Sequence, residues 1–125
     1  MSTRDIPPKF DFEPLPGYMW LVDRRLVGFA GFTQLQPWYY VDAGHVMEVR
    51  TQWPNGPAKD RLVVFARRQD NDDLACFSVA DGKAVEVVLL HGWTSSGYDV
   101  LRRYDSFWGW VKAIIDDVAE WSTST

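Results

Sequence analysis

The sequence predicts an α+β fold: a mostly antiparallel, twisted sheet of about six strands covered by a C-terminal amphipathic helix. Three observations predict it. Apolar runs of strand length recur at 62–66, 74–80 and 83–91. The pair Asp81-Gly82 separates the last two, and its composition suits a two-residue type I′ hairpin turn. Phe107, Trp110, Val111, Ile114, Val118 and Trp121 then recur at three- and four-residue spacing, a single apolar stripe along a helix.

Taken in order, four of the seven prolines fall between Pro7 and Pro16, which excludes a regular helix there. An extended arm over residues 1–17, lying on the surface of one domain spanning 1–125, is expected. Residues 18–32 are apolar around Asp23-Arg24-Arg25, and Met19-Trp20-Leu21-Val22 fits either a strand or one helical turn. Gly28 and Gly31 favour a strand or irregular chain over 26–32. Gln36-Pro37-Trp38-Tyr39-Tyr40-Val41 reads as an aromatic strand ended by Asp42-Ala43-Gly44. The alternation of His45, Met47 and Val49 against Val46, Glu48 and Arg50 predicts a half-exposed strand. Trp53-Pro54-Asn55-Gly56-Pro57 has the chemistry of a loop.

Leu62-Val63-Val64-Phe65-Ala66 is apolar on both faces, as in a central strand. Counting outward from the Asp81-Gly82 turn opposes Val79 to Ala84, Phe77 to Glu86, Cys76 to Val87 and Leu74 to Leu89. That register gathers Leu74, Cys76, Val85, Val87 and Leu89 on one face beneath the helix. Extended outward, it opposes Asp72 to His91 and predicts an ion pair between them. Asp105 or Ser106 can cap the helix that begins at Phe107.

Composition narrows the function. Seven tryptophans and nearly half apolar residues in 125 supply a real core. Thirteen basic against seventeen acidic residues give a net charge of −4, and no basic stripe suited to nucleic acid appears. The one cysteine, Cys76, lies in an apolar strand and reads as a buried, inert thiol of a reducing compartment. The opening residues contain no apolar segment of signal-peptide type, and no apolar run approaches the ~20 residues of a membrane span. A cytoplasmic protein is expected.

The tempting chemical motifs are incomplete. Val87-Val88-Leu89-Leu90-His91-Gly92-Trp93 has the look of a hydrolase oxyanion strand, but no Gly-x-Ser-x-Gly elbow exists to supply a nucleophile. Gly92 and Gly97 have phosphate-loop spacing, yet Tyr98-Asp99 stands where Lys-Ser/Thr is required. Asp70-Asn71-Asp72-Asp73 could offer oxygens to a divalent cation, but lacks the EF-hand glycine and distant glutamate. Only His45 and His91 are available as imidazole ligands, so no zinc set is spaced along the chain and no cofactor is expected. Trp38-Tyr39-Tyr40, Trp53, Trp93 and Tyr98 sit in or beside predicted loops, where large rings with polar tips serve as binding anchors.

Val63-Val64-Phe65-Ala66, Asp72-Asp73-Leu74-Ala75-Cys76-Phe77, the strand running to His91-Gly92-Trp93, and Tyr104-Asp105-Ser106-Phe107-Trp108-Gly109-Trp110 together resemble the SUKH superfamily. Its members include bacterial immunity proteins and relatives of a yeast cell-wall-assembly regulator. The resemblance covers about half of the chain, residues 62–121, and Leu15-Pro16-Gly17-Tyr18 matches the family's opening motif loosely. It implies a non-enzymatic domain that neutralises a protein toxin. The contact surface expected on that reading is Asp70, Asn71, Asp72 and Asp73 with Trp93, Tyr98 and Trp38. Such an acidic, aromatic-edged patch would suit a basic nuclease toxin. Two alternatives stand beside it: a small metal-assisted hydrolase using Asp70, Asp72, Asp73 and His91, and a regulatory scaffold domain.

Overall fold

The computed structural model describes residues 6–29 and 35–123. Six strands form one antiparallel sheet: β1 (Trp38–Tyr40), β2 (Met47–Glu48), β3 (Arg61–Arg68), β4 (Asp73–Ala80), β5 (Lys83–Thr94) and β6 (Gly97–Tyr104). Their order is β1-β3-β4-β5-β6, with β2 pairing farther along the same side of β3 as β1. Helix α1 (Tyr18–Asp23) and the short α2 (Val49–Gln52) precede β3, and α3 (Phe107–Thr123) closes the domain. The α+β class and the C-terminal helix are therefore as the sequence predicts.

Asp81 (φ 53°) and Gly82 (φ 77°) both take the left-handed backbone that a type I′ turn demands. Close to the turn the pairing follows the expected count, with Ala80 opposite Lys83 and Val79 opposite Ala84. A bulge then intervenes: Ser78 faces Glu86, leaving Val85 as the extra residue. From there every partner is one residue later on β5 than the simple count gives. Phe77 faces Val87, Cys76 faces Val88, Leu74 faces Leu90, and Asp73 rather than Asp72 faces His91.

Because side chains alternate, the inserted residue leaves Val87 and Leu89 on the helix face as expected but sets the other alternate set of β4 side chains beside them. The helix covers Val63, Phe65, Ala75, Phe77 and Val87, not Leu74 and Cys76. Phe107, Trp110 and Ile114 come down from α3 onto this face; Val111, Val118 and Trp121 are only partly buried. Phe65 and Phe77 stack with centroids 4.2 Å apart, and Trp110 meets Phe65 edge-on at 5.0 Å. Ser106 caps the helix by accepting a hydrogen bond from the Gly109 amide at 2.9 Å. Leu74, Cys76, Val88 and Leu90 occupy the opposite face with Leu62 and Val64. That face has its own cover, built from Val41, Val49, Tyr98, Met47, Trp53 and Ala58. Val85 is 48% exposed.

Three further expectations are revised. The alternating strand proposed over 45–51 is a two-residue strand followed by one helical turn, whose Val49 is buried. The segment after Gly17 is helical, ending in a turn at Arg24 and Arg25. Residues 26–29 are irregular, while Gly31 and Phe32 lie outside the described residues. The described part of the arm, 6–17, contains no helix, as its prolines require, and it is a core element and not only a surface strap, since Phe12 and Leu15 are buried. It is pinned at the hairpin, where the Glu13 amide donates to the Gly82 carbonyl (2.9 Å) and Glu13 accepts from the Ala84 amide (2.8 Å).

Candidate functional site

The expected contact residues gather at the end of the sheet where β3 stops, β4 starts and β5 runs on toward its turn into β6. They do not all face outward. Trp38 is 2% exposed: its ring meets Trp110 edge-on at 5.6 Å, and its indole nitrogen donates to Asp117 at 3.0 Å. Tyr98 is likewise 2% exposed and accepts a hydrogen bond from the Ala58 amide at 3.0 Å. Gly56 packs so close that a Cβ there would stand 2.2 Å from the Tyr98 ring. Both aromatics are core, and the expectation that they are surface anchors is corrected. Their β-strand positions explain why: Trp38 lies on the helix face of β1, and Tyr98 opposes Gly92 on the other face.

The acidic loop is more organised than a solvated turn. Asp70 takes a forked pair of hydrogen bonds from Arg68, at 2.6 Å from Nε and 3.2 Å from Nη2. Arg68 also reaches Asp117 at 3.5 Å, so α3, β3 and the loop share one guanidinium. Asn71 Oδ1 accepts from the Asp73 amide (2.8 Å), an Asx turn that folds the loop back on itself. Asp73 Oδ1 lies 2.8 Å from His91 Nδ1. This hydrogen bond holds the imidazole pKa above its ordinary value; partial desolvation opposes it, and the fields of Asp73, Asp72 and Asp99 add to it. Asp72, exposed like Asp70 and Asn71, is fixed through its carbonyl, which accepts from the Gly92 amide at 2.9 Å. That amide is thereby spent on the loop rather than left free as an oxyanion donor.

Trp93 stands apart from the rest. It is the unmatched residue between Gly92↔Tyr98 and Thr94↔Gly97, a bulge in β5, and its backbone is left-handed at φ 56°. A bulky residue seldom adopts that conformation, which costs on the order of 1–3 kcal/mol and persists when surrounding contacts hold it. Here Trp53 supplies an edge contact at 5.1 Å and the Arg67 guanidinium lies 5.2 Å from the ring centre. The indole remains 46% exposed. Trp53 in turn packs on Tyr98 at 5.4 Å, so the exposed ring rests on a buried aromatic base. Arg67 had no signal in the sequence as a site residue; its role follows from β5 extending past His91 to bring Trp93 alongside.

Among the described residues no three His, Cys, Asp or Glu side chains converge as a metal ion would require. Asp70 and Asp73 are directed to different cations, Arg68 and His91. Cys76 is fully buried and burial pushes its thiol far above the ordinary range, so no thiolate is available as a nucleophile. A groove of about 410 Å³ runs beside α3, lined in part by Arg68, Asp73, Leu101, Arg102 and Asp116. No helix among the described residues is long and apolar enough to cross a membrane. Compared with protein-family models, curated proteins and solved structures, the chain has no match in any of the three.

Proposed function

We propose that this chain is a non-enzymatic protein-binding domain, an immunity protein of the SUKH type that neutralises a cognate protein toxin. The observation that carries the reading is Trp93: a half-exposed indole raised from β5 by a left-handed bulge and backed by Trp53 and Arg67. Pre-ordered aromatic rings of this kind concentrate binding energy at protein interfaces, because little side-chain entropy is lost on contact. Asp72, exposed and free of a salt bridge among the described residues, and Asn71 flank it on the adjoining loop. The contact surface is thus narrowed to Trp93 with Asn71 and Asp72, and Asp70 and Asp73 act as the braces of the loop. A carboxylate beside an aromatic anchor suits a basic partner, and a nuclease toxin is the class proposed.

The reading predicts a toxin gene beside this one, and the test is protection in a bacterial host that expresses the toxin domain of that gene. The wild type should restore growth, and Trp93→Ala and Asp72→Lys should lose protection while remaining folded by circular dichroism. Equal protection by Trp93→Ala would refute the proposed surface. Absence of protection by the wild type would refute the immunity reading for that toxin.

A further inference from the structure

The sheet ends in two unlike edges. On one side β1 is three residues long; on the other β6 runs for eight, and among the described residues no strand pairs with its outer side. A long open edge presents unpaired backbone donors and acceptors, and proteins usually shorten, cover or charge such an edge. Here residues 99–103 are all exposed, with Val100 and Leu101 adjacent at the centre and charges on both sides.

The placement of those charges is the informative part. Leu101 is an extra residue in β6, since Arg102 opposes Leu89 and Val100 opposes Leu90. The bulge therefore sets Asp99, opposite His91, and Arg102, opposite Leu89, on the same face of the sheet, although they are three residues apart. By the same register Tyr98 and Arg103, opposite Gly92 and Val88, share the other face. Arg102 lies over the Tyr104 ring at 5.1 Å, and neither it nor Asp99 has an ion-pair partner among the described residues.

From this geometry we infer that β6 is a self-pairing edge, joining two copies of this chain antiparallel about a two-fold axis perpendicular to the sheet. Centred between Val100 and Leu101, the pairing sets Val100 against Leu101 of the second copy and Asp99 against its Arg102. Such an axis keeps each face of the sheet on its own side. Asp99 and Arg102 then meet on one face and Tyr98 and Arg103 on the other, as the bulge requires. The two-fold repeats every contact, giving two reciprocal Asp–Arg pairs around an apolar centre. A parallel, in-register arrangement would oppose Asp99 to Asp99 and Arg102 to Arg102, so the charges select the antiparallel one. The pairing does not use Trp93, and the inference does not depend on the proposed function.

Sedimentation equilibrium of the full chain over micromolar to millimolar concentration tests it. The mass should rise from 14.4 kDa toward double that value. Asp99→Arg or Arg102→Asp alone should weaken association at least tenfold, and the double exchange should restore it. Amide exchange in β6 of the wild type should slow as concentration rises, a readout independent of any variant. A wild type that stays monomeric at millimolar concentration, or single variants that associate like the wild type, would overturn the inference.

Discussion

Three buried tyrosines differ in what their hydroxyls meet, and replacing each by phenylalanine should change stability with different sign. Tyr18 and Tyr40 are 1% exposed, and neither hydroxyl has a hydrogen-bond partner among the described residues. Their rings are held edge-on to one another at 6.0 Å, with Phe65 packed on both, so the burial is favourable and the oxygen is not. An unsatisfied buried hydroxyl costs about 1–3 kcal/mol. Removing the oxygen leaves a gap smaller than a methyl group, which returns on the order of 1 kcal/mol of that. Tyr18→Phe and Tyr40→Phe should each therefore stabilise by roughly 1 kcal/mol, or about 3–6 °C in Tm for a domain of this size. Tyr98→Phe should instead destabilise by roughly 1 kcal/mol, because the Ala58 amide loses its acceptor. Urea denaturation with unchanged m-value, checked by thermal scanning, reads all three. Burial also raises the Tyr18 and Tyr40 pKa values far above the ordinary 10. Each favours the folded state fully below that ordinary value, and stability is lost as pH climbs above it. The two phenylalanine variants should blunt this alkaline loss. If Tyr18→Phe and Tyr40→Phe each cost as much as Tyr98→Phe, their hydroxyls are paired and the reasoning fails.

The remaining predictions probe the register, the helix and the loop. Val85→Lys should change stability by no more than about 0.5 kcal/mol, since the bulge exposes it, whereas Leu90→Ala should cost about 2–5 kcal/mol by denaturation. Trp110→Ala, which removes the ring at the centre of the helix–sheet contact, should cost about 3–5 kcal/mol in the same assay. NMR titration of His91 should show a midpoint above the ordinary 6.5 that falls back toward it in Asp73→Asn and moves less in Asp72→Asn. Its raised pKa favours the folded state fully below about 6.5, and the contribution is lost as pH rises through the raised value. An equal response to both substitutions would refute the Asp73 pairing.

Much of the fold was legible because it rests on periodicity. The turn at Asp81-Gly82, the central β3 and the stripe of Phe107, Trp110 and Ile114 all follow from residue type and spacing. The face of β4 was not legible, because Val85 in the paired β5 is an ordinary strand former and nothing in its chemistry marks it as an inserted residue. One such residue moved Leu74 and Cys76 away from the helix and gave His91 to Asp73. β6 went unread as a strand since its Asp99, Arg102 and Arg103 belong to an edge, where charge replaces alternation. At the candidate site the sequence identified the loop and Trp93. It could not separate Trp93 from Trp38 and Tyr98, because the three differ only in which way the backbone turns them.

The proposed function reduces to whether a partner is held on the indole that β5 raises at position 93. Isothermal calorimetry of the full chain with the purified toxin domain, wild type against Trp93→Ala, measures this directly. The expected result is a loss of about 2 kcal/mol or more, roughly thirtyfold in Kd, with unchanged thermal stability of the free chain. An affinity within about twofold of wild type would contradict the account.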